Sequence, residues 1–177
     1  MNSLIRAALI SILLSIGACA STDVSRYAAE KPVLDLVRYF SGTVDAWGMF
    51  QKRSGEVVKR FHVVIEGRED AGALVLDEHF EYSDGSRQQR VWTLRRQTDG
   101  TWQGTAADVV GVAAGAVAGN TLHWNYVLRL PVDGRTYDVA FDDWMMLIDE
   151  HTLANRARMS KFGVHLGDVT LFMRRRS

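Results

Sequence analysis

Apolar and polar residues alternate along most of this 177-residue chain, as they do in strands that bury one face. The period is clearest at Leu122, Trp124, Tyr126, Leu128 and Leu130, where His123, Asn125 and Arg129 take the other phase and Val127 is the exception. It recurs at Phe61, Val63 and Ile65, at Leu74, Leu76, Phe80 and Tyr82, at Tyr137, Val139 and Phe141, and at Val169, Leu171 and Met173. Turn signals cut these runs at 53–56, 69–72, Asp84-Gly85, Asp99-Gly100, Gly119-Asn120 and Asp133-Gly134. Such pairs supply the positive φ angles of tight hairpins. Their spacing leaves strands of about 8–11 residues and predicts nine or ten of them in antiparallel order. With no crossover helix between them, so many one-faced strands leave two open edges unless the sheet closes. The sequence therefore predicts an all-β, antiparallel up-and-down, lipocalin-like barrel of about 8–10 strands, a size of barrel that can either be filled by its side chains or enclose one small ligand.

Two segments near the start break the period. Leu34, Val37 and Phe40 stand at helical spacing between Pro32 and Gly42, which predicts a short helix before the first strand. Ahead of it, Arg6, an apolar run from Ala7 to Ile16 and small residues before Cys19 have the layout of a secretory signal. The run is about half of the roughly 20 residues that a spanning helix needs, so cleavage is expected. Ile16-Gly17-Ala18-Cys19 resembles the lipobox of bacterial lipoproteins. That resemblance implies that Cys19 is lipidated and that the protein is anchored in a Gram-negative envelope. Ala20 after the cysteine implies the outer membrane, with the domain on its periplasmic face. The expected organisation is a signal peptide at 1–18, a lipidated cysteine and polar tether at 19–31, and a single barrel domain at 32–177.

Composition narrows the classes further. Cys19 is the one cysteine, so an intramolecular disulfide is excluded and the core alone must hold the fold. With 21 basic and 21 acidic residues, nothing suggests nucleic acid. The closing Arg174-Arg175-Arg176 reads as a charged, frayed terminus.

The chemistry-bearing candidates are few. Glu78 lies in phase with Leu76 and Phe80, and Asp143 with Val139 and Phe141; buried charge is costly unless paired, so both stand out. Arg156, Arg158 and Lys161 are the basic residues downstream that could face them. Asp142 and Asp143 are neighbours on one strand and point to opposite faces, so they do not form an acid/base pair. Gly111 to Gly119 carries a glycine every fourth residue and reads as a strand whose small side chains admit another backbone or a ligand. His62, His79, His123, His151 and His165 show no ligand spacing, and the first three lie on the polar phase, as surface histidines do. No nucleophile elbow or phosphate-cradling loop occurs, so no catalytic residue, metal ligand or cofactor is assigned. Trp47, Trp92, Trp124 and Trp144 are large rings suited either to a core or to cavity walls.

The segments 40–50, 90–94, 131–137, 141–145 and 155–163 together resemble a family of Gram-negative lipoproteins classed as a domain of unknown function. The resemblance runs from about Pro32 to Met173. It implies a lipocalin-like barrel in the envelope, without an assigned activity, and relatives encoded near fatty-acid-modifying enzymes point toward lipids. Gly42 and Trp47 stand five residues apart, unlike the Gly-x-Trp pair of true lipocalins.

Three readings follow. The first is a monomeric, anchored barrel that binds a fatty-acyl or other small apolar molecule, with Trp47, Glu78, Trp92, Trp124, Tyr126, Phe141, Asp143 and Arg156 around the ligand. The second is a filled barrel that docks on an envelope partner through an exposed apolar patch. The third, ranked last, is an enzyme acting on lipid through Glu78 or Asp143 with Arg156 or Lys161.

Overall fold

The computed structural model describes residues 23–132 and 134–176; the segment expected to be a signal peptide, and Cys19, lie outside the described residues. A 3₁₀ turn at Val24–Tyr27 and a short helix α1 (Leu36–Phe40) precede ten strands. These are β1 (Gly42–Lys52), β2 (Val57–Asp70), β3 (Ala73–Tyr82), β4 (Arg87–Arg96), β5 (Trp102–Thr105), β6 (Ala113–Ala118), β7 (Thr121–Val132), β8 (Arg135–Leu147), β9 (Thr152–Lys161) and β10 (Val164–Arg175). Each strand pairs antiparallel with the next in sequence, and β1 also pairs with β10, from Val44 opposite Arg175 to Lys52 opposite Gly167. The sheet is a closed up-and-down barrel of the lipocalin-like kind.

Strand parity decides what fills it. Val44 and Ala46 of β1, Val63 and Ile65 of β2, Leu74 and Leu76 of β3, and Trp92 and Leu94 of β4 are all buried. The hairpins form where the turn signals stand: Gly85 has φ +81° and Gly100 φ +86°, and Asp84 and Asp99 accept backbone N–H bonds from Ser86 and Thr101.

Side-chain size shapes the β5–β6 region. A Cβ placed on Gly104 would lie 2.7 Å from Trp124 Cζ2, and one on Gly115 would lie 2.7 Å from Trp124 Cε3. The two glycines leave the space into which the Trp124 indole packs. The glycine-rich stretch is thus a barrel strand that another group approaches closely, as its composition suggests.

The N-terminal segment departs from expectation. The helix starts at Leu36, capped by the Asp35 carboxylate on Arg38 N–H, rather than at Pro32. Leu36, Tyr39 and Phe40 are buried, and the helix closes one end of the barrel. Residues 23–31 are not a free tether within the described chain. Tyr27 packs edge-on against Trp144 at 6.1 Å, Gly119 lies directly under the Tyr27 carbonyl, and Leu34 N–H donates to the Gly119 carbonyl at 2.8 Å. The C-terminal arginines are not frayed either. Arg174 and Arg175 belong to β10, and Arg176 forks onto Asp45 of β1 at 2.6 and 2.7 Å.

Candidate functional site

The interior holds a cavity of about 180 Å³ between the α1 end and the opposite mouth. Leu36 and Phe40 form its floor, with Leu74, Leu94, Leu122 and Met173 of the strand ends around them. At the mouth Phe50, Phe61, Phe80 and Tyr82 form an aromatic cluster, Phe61 lying 5.0 Å from Phe50 and 6.0 Å from Phe80. Tyr82 donates to Gln88 at 2.8 Å, and Gln88 is both exposed and part of the lining, so solvent reaches the cavity here.

A polar belt crosses this apolar interior halfway along the barrel. Glu78 of β3 stands in register with Arg90 of β4. The Arg90 guanidinium is mostly but not fully buried and grips Asp108, with Nε at 3.0 Å from both carboxylate oxygens and Nη2 at 2.8 Å from Oδ2. Asp108 comes from the β5–β6 connection, which is itself fixed along β7: Val109 bridges Leu128, and Arg129 N–H donates to the Asp108 carbonyl at 2.8 Å. Arg90 Nη1 also faces Glu78 Oε2 at 3.6 Å, close enough for charge attraction but beyond hydrogen-bond distance. Across the belt, Tyr126 donates to Asp143 Oδ2 at 3.1 Å, and Asn155 Nδ2 donates to Asp143 Oδ1 and to the Trp144 carbonyl. Tyr126 is stacked on Phe141 at 5.0 Å and meets the Trp92 ring edge at 5.5 Å.

Burial dominates the acid–base behaviour of the belt. It pushes the Glu78 carboxyl up to about 7, against the attraction of Arg90 and with the added repulsion of Asp108 and Asp143. It pushes Asp143 up to about 6, although hydrogen bonds from Asn155 and Tyr126 favour the ionised form. Tyr126 is raised well above the ordinary phenol range by burial and then by Asp143. Burial opposes the charge on Arg90, yet the Asp108 hydrogen bonds and the Glu78 field outweigh it and keep the guanidinium protonated. Near neutral pH Glu78 is therefore shared between its protonated and ionised forms, able to exchange a proton with a group placed beside it.

Of the residues singled out in the sequence, Glu78, Trp92, Trp124, Tyr126, Phe141 and Asp143 line the cavity together. Trp47 and Arg156 do not. Trp47 has the opposite parity from Val44 and Ala46; it lies outside, 50% exposed and stacked on His62 at 5.4 Å. Arg156 alternates with inward Asn155 and Ala157, so it projects to solvent and reaches Asp168 at 3.3 Å. Trp144 is also outside, stacked on His123 at 3.9 Å, and Asp142 is on that outer face while Asp143 is 4% exposed inside. The surface histidines are not simply solvated: His62, His79 and His123 each lie against a carboxylate, of Asp45, Asp77 and Asp142.

Three belt residues were not singled out. Arg90 is in phase with Trp92 and Leu94, the same signal that marks Glu78 and Asp143. Asn155 is in phase with Leu153 and Ala157. Asp108 sits in a connection with no period, and no sequence signal placed it inside.

The barrel is similar in fold to the S-type phycobiliprotein lyase CPES from Guillardia theta, at 8% identity and a TM-score of 0.58 over 80% of this chain and 91% of that one. It is also similar to a protein of unknown function from the DUF3598 family of Nostoc punctiforme PCC 73102, at 14% identity and a TM-score of 0.57. The latter match covers 89% of this chain and 53% of the other, so this chain spans about half of that protein. No curated protein matches the sequence. At such identities the likeness concerns the fold alone. Residues 13–175 match the model described as a protein of unknown function, DUF3833, and the chain belongs to that family.

Proposed function

We propose that this is an envelope lipoprotein, held by a lipid on Cys19, whose barrel binds a small apolar or lipid-like molecule. The observation that carries the reading is the cavity itself: apolar walls at both ends and a fixed polar belt between them, the combination by which a site buries a chain and orients its polar end. Its size sets the ligand. At about 180 Å³ it exceeds the roughly 150 Å³ apolar cavity known to admit benzene but falls below the roughly 300–1,000 Å³ of drug-sized sites. A short alkyl chain or a single ring fits; a long acyl chain has to displace the aromatic residues at the mouth. The anchor and the outer-membrane address rest on the lipobox resemblance, and the monomer on the closure of the sheet, which leaves no strand edge to pair.

Native mass spectrometry of the protein purified gently from its own envelope tests this reading. A stoichiometric small apolar molecule released on denaturation is the expected result. An empty protein that also ignores a panel of short fatty acids, alcohols, amines and phospholipids rejects it.

One observation favours a second reading. On the outer face Trp47 of β1 is in register with Phe172 of β10, which is in register with Ala154 of β9 and that with Met146 of β8. Trp47, Phe172 and nearby Ile148 are 50%, 54% and 61% exposed. A patch of this kind suits a protein partner in the envelope. Its test is whether Trp47→Ser with Phe172→Ser abolishes a cross-link to an envelope protein while cavity binding persists.

A further inference from the structure

The belt has an unequal charge balance, and its hydrogen bonds show which end of a ligand it can take. It contains one cation, Arg90, and three carboxylates, on Glu78, Asp108 and Asp143. One edge of the Arg90 guanidinium is committed: Nε and Nη2 make three hydrogen bonds to Asp108, the Phe80 ring lies 5.4 Å from Cζ, and Nη1 is left facing Glu78. Both Asp143 oxygens are likewise occupied, one by Asn155 and one by Tyr126. Glu78 differs. It lines the cavity with its side chain 14% exposed, and its nearest charged partner stands beyond hydrogen-bond distance at 3.6 Å.

Resting on the ligand-binding reading above, we infer that the cavity selects ligands whose polar end donates a hydrogen bond, an alkylammonium or an alkyl alcohol, received by the Glu78 carboxylate, and that it discriminates against carboxylate-ended ligands. A donor end supplies what Glu78 lacks and breaks nothing. A carboxylate end adds a fourth carboxyl group around a single cation; the donors it can reach are those of Arg90 Nη1, which face Glu78 at 3.6 Å, so it binds only by standing against the Glu78 carboxyl in a low-dielectric site. The cation concerned is organic: among the described residues no three His, Cys, Asp or Glu side chains converge to hold a metal ion. Short amines and alcohols are therefore preferred over fatty acids of the same length.

Binding of an ammonium shifts Glu78 strongly toward its ionised form and expels its proton, whereas a neutral alcohol, which adds a hydrogen bond but no charge, shifts it less. The groups that face Glu78 are Arg90 from β4, Asp108 from the β5–β6 connection, Tyr126 from β7, Asp143 from β8 and Tyr82 on its own strand, while Asp77 acts on it through the sheet from the outer face. Arg90 and Tyr126 do not titrate near neutral pH, so the pH dependence of amine binding between 6 and 8 reports chiefly on Glu78, with Asp143 at the lower edge.

The test is calorimetric titration of the purified protein at pH 7 with hexylamine, 1-hexanol and hexanoate, repeated in buffers of different ionisation enthalpy. Hexylamine and hexanol are expected to bind at least tenfold more tightly than hexanoate. Hexylamine is expected to release a fraction of a proton and to tighten as pH rises from 6 to 8. Glu78→Gln, which keeps the shape, is expected to weaken hexylamine at least tenfold and to leave hexanol within about threefold. Hexanoate binding as tightly as hexylamine overturns the inference and leaves the cavity reading standing. So does amine binding without proton release, a result that needs no variant. If none of the three binds and benzene does not either, the ligand-binding reading fails, and the inference with it.

Discussion

The belt residues make the protein sensitive to pH in a direction that their surroundings fix. Glu78 and Asp143 hold protons in the folded state at pH values where the unfolded chain has released them, so stability is full below about 4 and is lost as pH rises through about 6 and 7. The slope is about 1.4 kcal/mol per pH unit for each extra proton held by the folded state. Exposed carboxylates act the other way: hydrogen bonds hold Asp99 and Asp149 below their usual range, and their contribution is lost only in stronger acid. Denaturant midpoints are therefore expected to peak at mildly acidic pH and fall toward 8, and Glu78→Gln is expected to flatten that fall. A midpoint that rises steadily from pH 5 to 8 contradicts the assignment. Arg90 is the residue the belt can least spare. Arg90→Met strands Asp108 and Glu78 without their cation and is expected to cost about 3–5 kcal/mol in urea unfolding. At this scale the sequence was informative wherever parity was followed. Glu78 and Asp143 were found because they share the phase of apolar neighbours, and Arg90 obeys the same rule. Trp47 and Arg156 have the chemical type of ligand-binding residues, but their parity, opposite to Ala46 and Ala157, puts them outside. Asp108 lies in a connection, which has no period, so only the tertiary fold shows which way its side chain turns.

Among the elements, β5 and β6 depend on what they lack. Gly104 and Gly115 yield their Cβ positions to Trp124, so the indole sits close against the sheet and its neighbour Trp92 stays 6.2 Å away, edge-on. The contacts a methyl group would meet at Gly104 are side-chain atoms of Trp124 and Trp92, which makes this glycine the cleaner probe. Gly104→Ala is expected to cost about 1–3 kcal/mol through overpacking, and Trp124→Phe in the same chain to recover part of that loss. Additive losses in a double-mutant cycle by thermal unfolding speak against direct contact. The hairpins were legible because aspartate-glycine pairs both supply positive φ and cap the turn. The short helix was placed correctly only to within four residues, since Asp35, an N-cap, marks its start more strongly than Pro32 does. Residues 23–31 misled for a physical reason: a polar, aperiodic segment can still dock when one aromatic residue, Tyr27, finds a partner in Trp144.

For the whole molecule, closure is the governing fact. The first and last strands pair along Val44 to Lys52, so the sheet cannot close until nearly the whole chain is present. A chain that stops before Val164 opens edges on β1 and β9 together and is expected to aggregate on expression rather than fold. A monomeric, well-dispersed NMR spectrum from it is the contrary outcome. Non-local pairing of this extent also predicts refolding in milliseconds to seconds or slower after denaturant dilution. Closure further explains why the barrel was legible as a class from alternation and turns, while its hollow was not. Alternation says which side chains face inward, but volume depends on how ten inward faces meet, and no local pattern encodes that.

Trp92 and Trp124 line the interior and are therefore natural reporters of an apolar ligand entering it. A brominated alcohol with a short alkyl chain quenches tryptophan only on contact. Titrated into a Trp47→Phe, Trp144→Phe protein, which loses the two outer indoles, it should quench fluorescence saturably with a stoichiometry of one per chain. Quenching that rises linearly without saturating, or is absent, would mean that the cavity does not take such a ligand and would contradict the binding reading.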